Sequence, residues 1–124
     1  PPIKDVPYEK EKTVDFIEDI YERFKCPKND FNRKETLDKL DGYTHVENEY
    51  TLIPGRYARY LDSTDIMNIY VKVGGFVVSD NGYTVVFRNN NNGRNYRVRK
   101  RNKSFFMIMM SEDVLRTRIY RMRN

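Results

Sequence analysis

The chain has 124 residues and a net charge of +5, from 23 lysine and arginine residues against 18 aspartate and glutamate residues. This length suits one domain that buries roughly two-thirds of its unfolded surface without disulfides or metal ions. The single cysteine excludes an intrachain disulfide, and no apolar run approaches the roughly 20 residues that span a bilayer. The N-terminal residues also lack the apolar core of a signal peptide. We therefore expect a soluble, non-secreted protein of a reducing compartment, without a membrane span.

The charges are unevenly distributed along the chain. Residues 1–86 contain 12 basic and 16 acidic side chains, whereas residues 87–124 contain 11 basic and 2 acidic ones. A concentration of like charge in one part of a chain favours contact with a partner of opposite charge. We therefore expect the C-terminal third to meet an acidic partner.

The N-terminal part is predicted to be an extended arm followed by an amphipathic helix. Three of the first seven residues are prolines, which disfavour a helix there. Over residues 13–25 the apolar side chains recur at helical spacing, with Thr13 as the N-cap and Pro27 as the residue that stops the helix. The apolar face consists of Ile17, Ile20, Tyr21 and Phe24.

A second, shorter helix is predicted over residues 31–40. Asn32 followed by Glu35 resembles a capping box, in which each side chain satisfies a free backbone N–H at the start of the helix. Residues 43–50 show no clear period and contain the only histidine, His45, so they are predicted to form a loop.

The chain beyond residue 50 is predicted to be rich in strands. Residues 56–61 have mixed polar and apolar side chains on both faces, which favours a strand near an edge of a sheet. Residues 66–73 are predicted to form a helical turn that leads into a strand, with a strand throughout as the alternative. Gly74 and Gly75 then indicate a β-bulge or a close approach between backbones.

Residues 74–110 are predicted to form a β-meander, because four short strand patterns alternate with turn sequences. The turns contain asparagine and glycine, which tolerate the positive φ of tight hairpins. The third pattern alternates apolar and basic side chains, as in a strand with one dry and one wet face. The fourth is apolar on both sides and short, as in a buried strand. The four strands are predicted at residues 76–78, 83–87, 95–99 and 105–110.

The C-terminal residues are predicted to form a short helix that Ser111 caps. Acidic side chains begin this segment and arginines end it, an order that suits the helix dipole. Over residues 114–122 the alternation of apolar and polar side chains would also suit a strand, and the sequence leaves that alternative open.

The predicted fold class is α+β. We expect a small antiparallel β-barrel or bent sheet, with an N-terminal helical arm and a short C-terminal helix. Residues 1–50 would hold the arm and the helices that pack on the barrel. Residues 51–124 would hold the barrel, its basic hairpin and the C-terminal segment. The two parts are expected to form a single folded unit.

Neither catalysis nor metal binding is predicted. A nucleophile needs an activating base, and nothing in the sequence brings Cys26 and His45 together. One cysteine and one histidine cannot complete a structural zinc site, and Asp62 with Asp65 lacks the other ligands of an oxygen-donor loop. The glycines match neither a phosphate loop nor a dinucleotide fingerprint. We expect no cofactor, no small-molecule substrate and no enzymatic activity.

The candidate binding site is a basic hairpin at residues 94–103. A surface strand can carry such charges without a partner, but their density beside aromatic side chains suits phosphate contacts combined with base stacking. An acidic face of another protein would attract the same charges. Tyr96 is the candidate for stacking on a base. The candidate binding residues are Arg94, Arg97, Arg99, Lys100, Arg101 and Lys103.

A family resemblance lies in the series IPGRYARYLD, VGGFVV, YTVVFRN and NKSFFMI, spread over residues 53–108. This series resembles small, mostly uncharacterised proteins of large double-stranded DNA viruses, and in outline it is similar to SH3-like or Tudor-like barrels. Its motifs form a barrel rather than a catalytic site, so the resemblance carries over no functional residues. It implies a component of the virion or of virus assembly, and the many asparagines and the scarcity of alanine are compatible with such a source.

These observations lead to the hypothesis of a non-enzymatic structural or interaction protein. With the virion component that the resemblance implies, the hypothesis becomes a minor capsid-associated, or cement, protein of a large DNA virus. It would dock on other protein subunits through its proline-rich arm and basic hairpin, in the virion or the host cytoplasm. The alternative is a nucleic-acid-binding β-barrel that uses the basic hairpin.

Overall fold

The structure is a computed structural model that describes residues 10–108, in which two helices pack on a six-stranded antiparallel sheet. The helices are α1 (Lys10–Arg23) and α2 (Pro27–Lys39). The strands are β1 (Tyr43–Val46), β2 (Tyr57–Asp62), β3 (Tyr70–Asp80), β4 (Thr84–Arg88), β5 (Asn95–Arg99) and β6 (Lys103–Ile108). The predicted α+β class is confirmed. The predicted arm at residues 1–9 and the predicted C-terminal helix lie outside the described residues.

Both helices begin before their predicted starts. Thr13 is buried within α1 instead of capping it, and its hydroxyl accepts a hydrogen bond of 3.4 Å from the backbone N–H of His45. The predicted capping box is wrong, because α2 begins at Pro27 and both Asn32 and Glu35 lie inside the helix. Proline suits the first turn of a helix, where its missing N–H costs no hydrogen bond.

Strand β1 lies within residues 43–50, which were predicted to be a loop. It pairs antiparallel with β6, and His45 lies opposite Phe106. Tyr43 and Val46 are buried in this pairing. The four residues of β1, Tyr-Thr-His-Val, do not alternate apolar and polar side chains, so only the pairing with β6 identifies them as a strand.

The strand order in the sheet is β1-β6-β2-β3-β4-β5. The predicted meander is therefore confirmed for β3, β4 and β5 but wrong for the last strand. β6 does not pair with β5 and lies instead between β1 and β2. Residues 94–103 are consequently a strand and a turn, and not a hairpin. β2 has a partner on each side, so its predicted place near an edge is also wrong.

The polar side chains of β2 explain why an interior strand looked like an edge strand. The guanidinium of Arg59 lies 5.2 Å from the ring centroid of Tyr43 and donates a hydrogen bond of 2.8 Å to the carbonyl of Lys39. An arginine can cover apolar surface with its stem while its head finds polar partners. A strand that mixes polar and apolar side chains on one face can therefore lie in the interior of a sheet.

The sheet is bent, but it is not closed into a barrel within the described residues. One hydrophobic cluster lies on its inner face, and within it the ring centroids of Phe87 on β4 and Phe105 on β6 lie 6.2 Å apart, although β2 and β3 lie between these strands. β3 shifts its register against β2 where Gly74 and Gly75 lie. A Cβ atom on Gly74 would lie 2.4 Å from the carbonyl oxygen of Ala58, so glycine is required there. The predicted bulge or close approach at these glycines is confirmed.

The helices cover only part of the outer face of the sheet. A second hydrophobic cluster joins Ile17 and Tyr21 of α1 to Leu61 of β2 and Phe106 of β6. The Tyr21 hydroxyl also donates a hydrogen bond of 2.7 Å to the carbonyl of Ile69, which precedes β3. Full burial of each large apolar side chain contributes roughly 1.5–3 kcal/mol to such packing. The helices pack on β1, β2, β3 and β6, whereas Arg88 of β4 and Arg97 and Arg99 of β5 are exposed.

Candidate functional site: a basic face on strands β4 and β5

Basic charge and solvent exposure coincide on strand β5. Its side chains alternate, so Val98 is buried in the inner cluster and Tyr96 packs against it, whereas Arg97 and Arg99 are exposed on the outer face. This alternation follows from the pleat of a strand. In the pairing with β4, Val86 lies opposite Arg97, so it shares the outer face. We call the outward side chains of the two strands the basic face: Thr84, Val86, Arg88, Asn95, Arg97 and Arg99.

A shallow groove runs along this basic face. Its lining consists of Ser79, Asn81, Thr84, Val86, Arg97 and Arg99. The lining contains no carboxylate, and residues 81–108 contain seven basic and no acidic residues. Among residues 10–108, no ion pair engages Arg97 or Arg99. The positive charge of the face is therefore available to an anionic partner.

Three further predicted binding residues flank β5. Arg94 is exposed in the preceding turn, where its backbone N–H donates a hydrogen bond of 2.8 Å to the side chain of Asn92. Arg101 is exposed in the turn that joins β5 to β6. Lys103, the first residue of β6, is half-buried, and its ammonium donates a hydrogen bond of 3.3 Å to the Arg101 carbonyl. The exposed arginines are thus gathered on one strand and the turns at its two ends.

Lys100 is buried, with 5% of its surface exposed. Its ammonium lies 2.7 Å from the carboxylate of Asp80 and donates a hydrogen bond of 3.0 Å to the carbonyl of Tyr50. The same carboxylate accepts hydrogen bonds of 2.8 Å from the backbone N–H groups of Leu52 and Gly82. Lys100 therefore joins β5 to β3 and to the loop before β2, and its charge is already paired. It does not belong to the basic face.

Tyr96, the predicted stacking residue, also points inward. Its ring centroid lies 5.7 Å from that of Phe87, and its hydroxyl donates to the carbonyls of Val73, at 3.1 Å, and Gly74. Burial raises the pKa of Tyr96 to about 12, because the phenolate would lose its hydration. The ring is therefore held inside the sheet and cannot meet a base on the basic face.

The exposed aromatic ring beside the basic face is that of Tyr83, which was predicted only as the start of a strand. Tyr83 is 82% exposed. Its carbonyl accepts a hydrogen bond of 2.9 Å from the backbone N–H of Lys100, which places it next to the end of β5. Together with Arg99 and Arg101 it lines a second open groove. The signal in the sequence is its place directly before β4, the strand that the next turn, at residues 89–93, pairs with the basic strand β5.

Cys26 and His45 have separate surroundings. The Cys26 thiol donates a hydrogen bond of 3.4 Å to the carbonyl of Met67, beside the start of α2. The His45 ring stacks on that of Phe16, with 3.6 Å between ring centroids, and burial lowers the pKa of His45 to about 4. In the part of the chain that the structure describes, no cluster of histidine, cysteine and carboxylate side chains could hold a metal ion. No helix of residues 10–108 has the length and apolar character to cross a bilayer.

Comparisons with known proteins do not assign this chain to a family. No protein-family model, curated protein or solved structure matches it. The interpretation of function therefore depends on the residues themselves, and above all on the geometry and charge of the basic face.

Proposed function

We propose that this chain is a non-enzymatic interaction protein that docks on an acidic surface of another protein subunit through the basic face. One observation carries the proposal: Arg97 and Arg99 are exposed neighbours on the same side of one strand, with no acidic residue in residues 81–108. Arginine presents a planar fork of donors that can bind a carboxylate bidentately. A strand holds two such groups at a constant spacing, which lowers the entropy cost of binding.

The resemblance to proteins of large DNA viruses extends this proposal to a minor capsid-associated, or cement, protein. A protein in that role needs exposed contact surfaces rather than a reactive site. The basic face would supply one surface, and the proline-rich arm at residues 1–9 would supply the second. The SH3-like outline of the bent sheet belongs to the same proposal, as does a location in the virion or the host cytoplasm.

A nucleic-acid-binding role is the second candidate, and Tyr83 is the observation that favours it. Its exposed ring lies in the same open groove as Arg99 and Arg101. A base could stack on the ring while the guanidinium groups neutralise phosphates, which is how many proteins bind single strands without reading sequence. Such binding would weaken steeply as salt is added, because it releases counterions from the phosphates.

Binding assays at low salt can separate the two candidates. The probes are polyglutamate, as an acidic polypeptide, and single- and double-stranded oligonucleotides. We expect the protein to bind polyglutamate more tightly than the oligonucleotides. We expect the double variant Arg97→Glu, Arg99→Glu to weaken that binding by about tenfold or more, since each reversal replaces an attraction by a repulsion.

The matched control is the double variant Lys28→Glu, Lys34→Glu, which makes the same change in net charge on exposed positions of α2. It should weaken binding far less. Equal losses in the two double variants would show that net charge drives binding, and would contradict a role of the basic face. Tighter binding of oligonucleotides, lost in Tyr83→Ala, would establish the nucleic-acid role instead. Absence of the protein from purified virions would contradict the capsid assignment.

A further inference from the structure

Strand β5 is an edge strand of the described sheet. It pairs with β4 on one side, and no strand within residues 10–108 lies on its other side. Backbone hydrogen bonds to the β4 side fall on Arg94 and Lys100, at the two ends of β5. Because bonded and non-bonded residues alternate in an antiparallel pair, the even-numbered residues of β5 bond to β4. The N–H and C=O groups of Asn95, Arg97 and Arg99 therefore point to the open edge.

The open edge also carries charge. The side chains of Arg97 and Arg99 lie on the basic face, so two of the three residues whose backbone groups point to the open edge are arginines. An unpaired edge is a template for a further strand, and charged side chains along it prevent unwanted pairing. A second copy of β5 would place arginine beside arginine, which is unfavourable. An acidic strand would gain ion pairs in addition to backbone hydrogen bonds.

We propose that β5 accepts an extended acidic segment of a partner protein as an additional strand of the sheet. This inference rests on the proposed function and specifies how the basic face binds its partner. In strand addition the backbone supplies affinity and alternate side chains supply specificity. The partner segment is therefore expected to carry an acidic residue at every second position, beside Arg97 and Arg99. Residues 109–124 of this chain, with four arginines against two acidic residues, do not fit that pattern.

The direct test is hydrogen exchange of the backbone amides in the full chain, followed by NMR with and without a synthetic peptide that alternates glutamate and valine. In the free protein we expect fast exchange at Asn95, Arg97 and Arg99, because their N–H groups face solvent. In the complex we expect these amides to exchange more slowly by a factor of about ten or more. The amides of Tyr96 and Val98, bonded to β4, should be protected in both states.

Backbone N-methylation of the peptide tests the same geometry without altering the protein. Each methyl group removes one N–H donor. We expect methylation at one set of alternate residues to weaken binding about three- to tenfold for each lost hydrogen bond. Methylation at the intervening residues, whose N–H groups face away from β5, should have little effect.

Two protein variants test the same backbone hydrogen bonds by changing the protein instead of the peptide. Arg97→Pro removes the N–H that faces the open edge. Because that N–H is not bonded to β4, the pairing of β4 and β5 loses no hydrogen bond, and proline is tolerated at such positions of edge strands. Arg97→Ala loses the same charge and keeps the N–H, so it is the matched control. We expect the proline variant to bind the peptide about three- to tenfold more weakly than the alanine variant. An amide spectrum and a melting curve check that its sheet is intact, and the methylated peptides provide the test if it is not.

The outcomes separate this inference from the proposed function. Suppose that the Arg97→Glu, Arg99→Glu variant loses binding, but the effect of peptide methylation does not alternate along the peptide and no amide of β5 becomes protected. Strand addition is then overturned, while docking on an acidic surface stands. Slow exchange of the three edge amides in the free protein would show that the edge is already paired, and would also overturn strand addition. If the protein binds neither polyglutamate nor the peptide, both strand addition and docking on an acidic surface are overturned.

Discussion

His45 lies on β1 with its ring stacked on Phe16 and with its centroid 5.3 Å from that of Phe106. Burial among these rings lowers the pKa of His45 to about 4, because the imidazolium would lose its hydration without gaining a partner. Because residues 43–50 show no clear period, a loop was predicted there, and nothing local indicates the burial. The aromatic rings that surround it come from α1 and β6, which lie far away in the chain.

We predict that His45 makes the protein less stable as the pH falls from about 6.5 to about 4. In this range the unfolded chain binds a proton at His45 and the folded protein does not, so added protons favour unfolding. The loss is expected to reach about 3 kcal/mol of unfolding free energy at most. Below about pH 4 the folded protein also binds the proton, and the loss stops growing.

Urea unfolding over a pH series measures this effect, with His45→Phe as the control. The phenylalanine keeps a ring on Phe16 but cannot titrate. The difference in unfolding free energy between the two proteins removes the contribution of the carboxylates, which is common to both. A difference that does not change between pH 7 and pH 4 would contradict the prediction.

At the scale of elements, the ion pair of Lys100 and Asp80 holds β5 in place. The Asp80 side chain is fully buried, and it accepts hydrogen bonds from the Lys100 ammonium and from two backbone N–H groups. The Lys100 ammonium also binds the carbonyl of Tyr50, in the loop before β2. This network ties the end of β5 to β3 and to that loop, and so supports the strand that carries Arg97 and Arg99.

We predict that Lys100→Met lowers the unfolding free energy by about 3–5 kcal/mol, because it leaves the carboxylate of Asp80 buried and unpaired. Lys103→Met is the control, because the Lys103 ammonium makes one long hydrogen bond at an exposed site, and it should cost less than about 1 kcal/mol. Chemical unfolding measures both effects. Where the Lys100→Met protein is folded, it should still bind polyglutamate. Loss of polyglutamate binding in the folded variant would contradict this and indicate that Lys100 contacts the acidic partner.

At the scale of the whole molecule, the sheet has a layer on each face. The inner cluster is enclosed by the bend of the sheet, and the outer cluster is covered by the helices. The predicted division at residue 50 would separate β1 from β6, its partner strand. It would also remove the helices that cover Leu61, Ile69 and Phe106. Each of the two hydrophobic clusters therefore contains residues from both predicted parts.

We predict that a fragment of residues 51–124 does not fold alone. Without the helices, large apolar side chains on the outer face would be exposed, and β6 would lose the strand that pairs with it. We expect poor dispersion of its amide NMR signals and no cooperative transition in urea. The full chain, as the control, should unfold in one cooperative transition. A dispersed spectrum and a cooperative transition in the fragment would show that it is an independent domain.

The sequence by itself determined the features that depend on local period and composition. The two helices, the strands of the β3-β4-β5 meander and the glycine bulge were predicted, because periods of 3.6 and 2 and the turn residues are encoded locally. The outward position of Arg97 and Arg99 follows from the same alternation. The basic charge of the C-terminal third is a matter of composition.

Only the tertiary structure decided which strands are neighbours and which charges are exposed. Sequence predicted β6 beside β5, but β6 pairs with β1 and β2. Lys100 and Arg97 are both basic and were both predicted to bind the partner, yet one is buried against Asp80 and the other faces solvent. The physical reason is that burial and pairing depend on contacts between residues far apart in the chain, whereas a sequence pattern records only how neighbours along the chain alternate.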